Sequence, residues 1–340
     1  MGARMQLVVI AGGLGTRLRP LTNHRPKSLL PLLNRPQILY LFDRLPPTVD
    51  HVLVAVNYQY EKVRDFFKRQ DLGREVTVVH EPEPRGTAGA IKNVEGRIAG
   101  TFAAFNGDVV DSLDLGDLHR FHRAKARTAT LALWPVRNPS AFGVVDLSGD
   151  RITRFVEKPK PGEAPSNLVN AGRYMFEPEI FDFIPANREV SLEREVFPEI
   201  VQKGLSGYRY DGYWSDTGTL ATYLEAQALL LRRQATEISP DADSGRGAVR
   251  SPVLIAEGCF VEGLLGPDVV LGRGCRIGRA QIDRSTLFEG VSVDDKAEIH
   301  ASILGAHVAI GEGARVRDSI IGDGAQVPPH ADLKDARVSS

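Results

Sequence analysis

The chain has 340 residues, 42% of them hydrophobic and 25% charged, with a formal net charge of −1, an ordinary globular composition with room for about two domains. That balance excludes a polybasic nucleic-acid or membrane-surface binder, and two cysteines, Cys259 and Cys275, exclude a disulfide framework and suit a reducing compartment. No apolar stretch approaches the ~20 residues needed to span a bilayer, and Gln6 stands where a myristoylation signal beginning at Met1-Gly2 requires Ser or Thr, so a cytoplasmic protein is expected.

In chain order, Gln6-Leu-Val-Val-Ile10 reads as a buried parallel strand. It empties into Ala11, Gly12, Gly13 and Gly15, small residues that let backbone N–H groups approach an anion. Thr16, Arg17, Arg19 and Lys27 follow, supplying a hydroxyl and fixed positive charge. The segment reads as a phosphate grip. It is neither a P-loop, since no Lys-Ser or Lys-Thr follows at the required offset, nor a dinucleotide fingerprint, whose third glycine is replaced by Leu18.

Apolar runs at 51–57, 76–80 and 101–106 predict further central strands, and 37–45, 59–69 and 87–95 predict helices between them. This alternation specifies an α/β domain with a Rossmann-like, mostly parallel sheet over 1–233, whose ligands bind beyond the carboxyl ends of the strands. Asp108, in FNGDVV, stands at one such end, and Asp216, in GYWSDTGT, precedes a helical stretch. Residues 234–252 are rich in turn formers and poor in apolar residues, which predicts a linker. From 253 to 335 aliphatics recur six residues apart: Ile255 and Val261, Leu271 and Ile277, Val293 and Ile299, then Leu304, Ile310 and Val316, and Ile321 and Val327. Glycine commonly follows the aliphatic. This period predicts a hexapeptide-repeat left-handed parallel β-helix. Cys259 and Cys275 fall four residues after aliphatics and read as small core residues, and His300, His307 and His330 read as surface or packing residues rather than acyl-transfer bases.

The string GGxGTRLxPLT with Pro-Lys five residues after its Thr22 resembles the signature of the sugar-1-phosphate nucleotidyltransferases. The resemblance implies that the glycine loop, Ala11 to Thr16, wraps a nucleoside triphosphate, that Arg17 contacts its β and γ phosphates, and that Lys27 supports the reacting phosphates. It implies Mg²⁺ held by Asp108 and Asp216. Glu81 to Ala90, EPEPRGTAGA, resembles the family's base-reading stretch and assigns Glu81, Gly86 and Thr87 to the nucleotide; Thr87 is also an acceptable helix N-cap. Phe142-Gly143-Val144, Glu157-Lys158-Pro159 and Asn170-Ala171-Gly172 resemble the sugar-phosphate motifs, assigning Gly143, Glu157, Lys158 and Asn170 to that substrate.

Within the family the chain is most similar to the mannose-1-phosphate guanylyltransferases, through PRGTAG, FVEKP, NAG, LEREVFP and the repeat tail. GTP and mannose 1-phosphate are therefore the favoured substrates. A glucose-1-phosphate thymidylyl- or uridylyltransferase is the alternative, and a non-catalytic regulatory subunit of the same superfamily a second. Assembly into a homo-oligomer through the β-helix is expected.

Overall fold

The structure is a computed structural model that describes residues 5–245 and 247–340; the Met1-Gly2 signal reading lies outside them. Two compact units emerge: one holds the residues up to Gly13 together with Tyr40–Trp214, the other Leu14–Leu39 together with Ser215–Ser340.

The first unit is built on a nine-stranded mixed sheet. Its strands are β1 (Met5–Ile10), β2 (Val49–Val56), β3 (Glu75–His80), β4 (Phe102–Asn106), β5 (Ala129–Pro135), β6 (Gly143–Ser148), β7 (Arg151–Glu157), β8 (Leu168–Phe176) and β9 (Leu205–Arg209), in the order β3-β2-β1-β4-β8-β5-β9-β7-β6. The parallel character lies in β3-β2-β1-β4 and in the β9–β5 pair; β8 runs antiparallel to both β4 and β5. Leu7, Val8 and Val9 are fully buried because β1 is paired on both edges and covered on both faces, which is why its sequence is a continuous apolar run. Strands β1, β3 and β4 end at Ile10, His80 and Asn106. The first glycines, Glu81 and Asp108 follow immediately, so the sheet's parallel half delivers them at its carboxyl ends.

Helices α1 (Ile38–Phe42), α2 (Tyr60–Phe67) and α3 (Gly86–Lys92) form where periodicity predicts them, α1 much shorter than expected. Thr87 is not the N-cap of α3. The helix begins at Gly86, and the Thr87 hydroxyl instead donates to Glu193 Oε2 at 2.8 Å and accepts from Leu192 N–H at 2.9 Å. Tertiary hydrogen bonds thus take a side chain that local sequence would also accept as a cap.

The second unit is wound as a β-helix of three parallel sheets. Leu265, Ile282, Ile299 and Val316 stack inward in register, all buried. Ser285, Ser302 and Ser319, 17 residues apart, stack at one corner; each accepts an N–H from the next coil and donates to its own coil's carbonyl two residues back. That ladder satisfies polar backbone that would otherwise be buried unpaired. Cys259 and Cys275 are buried free thiols donating to the Gly272 and Phe288 carbonyls at 3.1 Å, as small core residues should. His307 and His330 occupy left-handed corner positions against Gly290 and Gly313, and His300 Nδ1 lies 2.9 Å from the Asp283 carboxylate.

The segment expected to be a linker contains the first strands of this helix. Glu237–Ile238 pairs in parallel with Val253–Ile255, and Ala248–Val249 with Leu264–Leu265. The coil also runs past 335, through Arg337–Val338. Within the same unit, a helix at Leu220–Leu231 is opened by a Thr219/Thr222 capping box and fixed by Gln227, which donates to Ser285 O at 3.4 Å and accepts from the Thr286 hydroxyl. Among the described residues no helix is long and apolar enough to cross a membrane.

Candidate functional site

In the first unit, Ala11 N–H donates to Ala55 O at 2.9 Å, carrying the β1 exit onward in register. A Cβ on Gly12 would lie 2.9 Å from Glu81 Oε2 and 3.3 Å from Asn57 N, whereas one on Gly13 would meet nothing within 4 Å. Gly12 is thus needed for close packing, and Gly13 leaves backbone open to a ligand. Glu81 is 2% exposed, and its Oε1 has no hydrogen-bond partner in the protein. Burial raises its pKa to about 7, against the opposing pull of Arg85. Asn57 Nδ2 donates to Glu81 O at 2.7 Å and holds the segment in place. Gly86 has φ +70°, and a Cβ there would lie 2.5 Å from Val190 O, so no other residue fits this turn.

The strands β6 and β7 bring Gly143, Glu157 and Lys158 together. A Cβ on Gly143 would sit 2.5 Å from Phe155 Cζ and 3.0 Å from Glu157 Oε2, so the glycine makes room for that ring and carboxylate. Burial, with the neighbouring Glu193 carboxylate, pushes Glu157 above its ordinary range, and Lys158 Nζ lies 3.4 Å from Glu157 Oε1. Lys158 adopts φ +46°, a left-handed backbone rare for lysine and held by its N–H donating to Phe142 O at 2.9 Å. Asn170 is half-buried, with Oδ1 accepting Gly172 N–H at 3.0 Å and Nδ2 donating to the Tyr174 hydroxyl at 2.9 Å. The Trp214 indole donates to Ala171 O at 2.9 Å and meets the Phe142 ring edge-on at 5.4 Å. Asp108 is half-buried, directly after Gly107, whose N–H donates to Ile10 O at 2.9 Å.

The second unit carries the rest of the loop. Gly15 has φ +61°, and a Cβ there would press on Thr22 Cγ2 at 2.9 Å and Lys27 Cβ at 3.1 Å. The Thr22 hydroxyl and Leu18 N–H both donate to Gly15 O at 2.9 Å, closing a tight turn over Thr16–Leu18. Thr16 and Arg17 are exposed. The Arg17 guanidinium lies over Gly218, whose added Cβ would be 2.8 Å from Arg17 Nη2 and 2.8 Å from Asp216 Oδ1. Asp216 Oδ1 accepts Gly218 N–H at 2.6 Å and the Thr222 hydroxyl at 3.0 Å, both on the same carboxylate oxygen. Gln37 ties the two halves of this cluster, donating to Lys27 O and accepting from the Thr217 hydroxyl at 2.6 Å.

Arg17, Asp216 and Gly218 therefore share one cluster, and Gly12, Glu81 and Asn57 another. Asn57, Gln37, Thr217, Glu193 and the buried Arg173 escaped sequence reasoning. Only Glu193 carried a local signal, in LEREVFP, where residues Leu192–Val196 form a π-helical turn.

A family model described as "Nucleotidyl transferase" matches residues 6–233. The chain belongs to the nucleotidyl transferase family. A second, "GMPPB C-terminal domain", matches residues 245–340 of this nucleotidyltransferase. The mannose-1-phosphate guanylyltransferase of Mycobacterium tuberculosis is 36% identical over 299 residues, 86% of this chain and 82% of the relative. Mannose-1-phosphate guanylyltransferase 1 of Arabidopsis thaliana is 34% identical over 317 residues, 88% and 86% of the two chains. Among solved structures, HddC from Yersinia pseudotuberculosis complexed with GMP-PN superposes with a TM-score of 0.56 at 25% identity, covering 66% of this chain and 98% of that one. UDP-glucose pyrophosphorylase complexed with UDP-glucose gives 0.60 at 23% identity, over 68% and 100%, and shares the fold. The nucleotidyltransferase thus carries its family's motifs on both units.

Proposed function

We propose that the enzyme transfers the guanylyl group of GTP to mannose 1-phosphate, giving GDP-mannose and pyrophosphate. A phosphate oxygen of the sugar phosphate attacks the α-phosphorus, and the bond to the bridging oxygen of the leaving pyrophosphate breaks. Bringing two polyanions together requires fixed positive charge more than acid–base help. Arg17 and Lys27 are assigned to the triphosphate, with the loop amides from Ala11 to Thr16. Glu157 and Asn170 are assigned to the sugar hydroxyls and Lys158 to the sugar phosphate.

Among the described residues no group of three or more His, Cys, Asp or Glu side chains is arranged to hold a metal. Mg²⁺ takes one or two carboxylates and completes its shell with phosphate oxygens and water. Asp108 and Asp216 are hard oxygen donors of this kind, and Asp216 has its protein hydrogen bonds on a single oxygen. When bound, Mg²⁺ would neutralise phosphate charge. Asp108 and Asp216 are the residues assigned to hold it, and the cations Arg17 and Lys27 are assigned to the pyrophosphate as it leaves.

The observation that favours guanine is the buried Glu81 carboxyl, whose Oε1 is unpartnered and whose Oε2 packs beside Gly12. Guanine offers two adjacent donors, N1–H and the N2 amino group, to a carboxylate, whereas thymine and uracil offer one. Because the pKa of Glu81 is about 7, the carboxylate that accepts these donors is depleted as pH falls below that value. The expected result is that kcat/KM for GTP declines on the acid side of about pH 7. Glu81→Gln should remove that limb and lower kcat/KM for GTP by about 10- to 100-fold while changing UTP little, a bidentate contact being worth roughly that much discrimination. Equal losses for both nucleotides would set aside guanine recognition by Glu81.

A further inference from the structure

Arg173 lies on β8, three residues after Asn170, and is 2% exposed. Its guanidinium makes three strong bonds inside the first unit. Nε donates to Asp111 Oδ2 at 2.7 Å, Nη1 to Asn106 O at 2.6 Å and Nη2 to Val109 O at 2.8 Å. Its flat face covers the Phe105 ring, 4.7 Å from the centroid. Asn106 and Val109 are the residues on either side of Gly107-Asp108, so one planar fork grips both ends of the turn that carries Asp108. The pairing of β8 with β5 is irregular between Asn170 and Tyr174, an interval that contains Arg173, with Gly172 at φ +71° packed against Asn106.

A buried ion pair contributes little net stability, because desolvation of both charges offsets their attraction. What an arginine fork adds over an apolar pair is geometry: three donors in one plane fix three acceptors at once, which a lysine ammonium on a flexible stem does not do. We propose that Arg173 is a positioning residue that holds the Asp108 turn at a set place relative to the strand bearing Asn170, so that the metal carboxylate and the sugar-binding side chain are presented together. This rests on the reading of Asp108 as a metal ligand.

Two variants test it. Arg173→Lys keeps a cation beside Asp111. The double variant Arg173→Met/Asp111→Asn removes both charges, and its asparagine retains an acceptor for Leu113 N–H, now 2.9 Å from Asp111 Oδ1. Both are assayed for folding by circular dichroism, for Mn²⁺ affinity in the presence of GTP by electron paramagnetic resonance, and for kcat and KM. The expected result is a folded protein whose Mn²⁺ dissociation constant rises about tenfold, as for other outer-shell partners of metal ligands. kcat should fall by about 30- to 100-fold, the cost of a displacement near 1 Å, with KM for GTP little changed. Wild-type Mn²⁺ affinity and kcat in either folded variant would overturn the inference. Asp108→Asn separates the two readings: if it leaves Mn²⁺ binding intact, the metal assignment itself fails; if it abolishes binding while both Arg173 variants bind normally, only the role of Arg173 fails.

Discussion

Asp108→Asn is expected to lower kcat by about 1,000-fold at saturating Mg²⁺, the scale on which removal of a transition-state electrostatic contact is felt. The expectation follows from where the chain puts this carboxylate. Strand β4 ends at Asn106, and Gly107 is wedged against β1, where a Cβ would lie 3.2 Å from Ile10 O and 3.4 Å from Ala11 Cβ. The aspartate is thereby delivered at the carboxyl end of a buried strand, directly beside the strand that opens the glycine loop. Asparagine has nearly the same shape, so the turn can accommodate it without steric change. What it lacks is the second anionic oxygen that a hard cation requires. Steady-state pyrophosphate release checks the expectation, and retention of activity within tenfold of wild type would remove Asp108 from the metal site.

The second large effect centres on Arg17. Arg17→Met is expected to lower kcat/KM for GTP by about 100- to 1,000-fold, because in its proposed role Arg17 is a fixed cation on the leaving pyrophosphate, whose charge grows during the reaction. Gly218→Ala should give a smaller loss in the same direction without replacing any charged residue. The new methyl would fall 2.8 Å from Arg17 Nη2 and 2.8 Å from Asp216 Oδ1, so both side chains must leave their present positions. The pair is read out by steady-state kinetics with GTP against the sugar phosphate. An unaltered KM and kcat in Gly218→Ala would show that the Arg17–Asp216 cluster is not the working arrangement.

Much of this was legible from residue order because the signals are local. An apolar run opening into glycines is a strand and a turn whatever the rest of the chain does, and the six-residue period declares a β-helix because each coil repeats the same inward positions. The first coil reads as a linker because its strands, Glu237–Ile238 and Ala248–Val249, are two residues long and set among turn formers. Only pairing with the following coil makes them strands. Arg173 was silent for a different reason: its partners Asn106, Val109 and Asp111 lie more than 60 residues away, and a lone arginine in NAGRYMF reads as a surface charge. Thr87 by its position before a helix is also an acceptable cap, yet Glu193 and Leu192, over 100 residues distant, take its hydroxyl. Polar side chains satisfied by long-range tertiary partners leave no periodic trace.

The most direct test of the proposed reaction is pyrophosphate release by the wild-type chain with Mg²⁺, crossing GTP, ATP, UTP and dTTP with mannose 1-phosphate, glucose 1-phosphate and N-acetylglucosamine 1-phosphate. GTP with mannose 1-phosphate should give the highest kcat/KM, by at least about tenfold over any other nucleotide with the same sugar phosphate, as expected when a buried carboxylate reads two base donors. A highest value for dTTP or UTP with glucose 1-phosphate, or no release with any pair, would contradict the account.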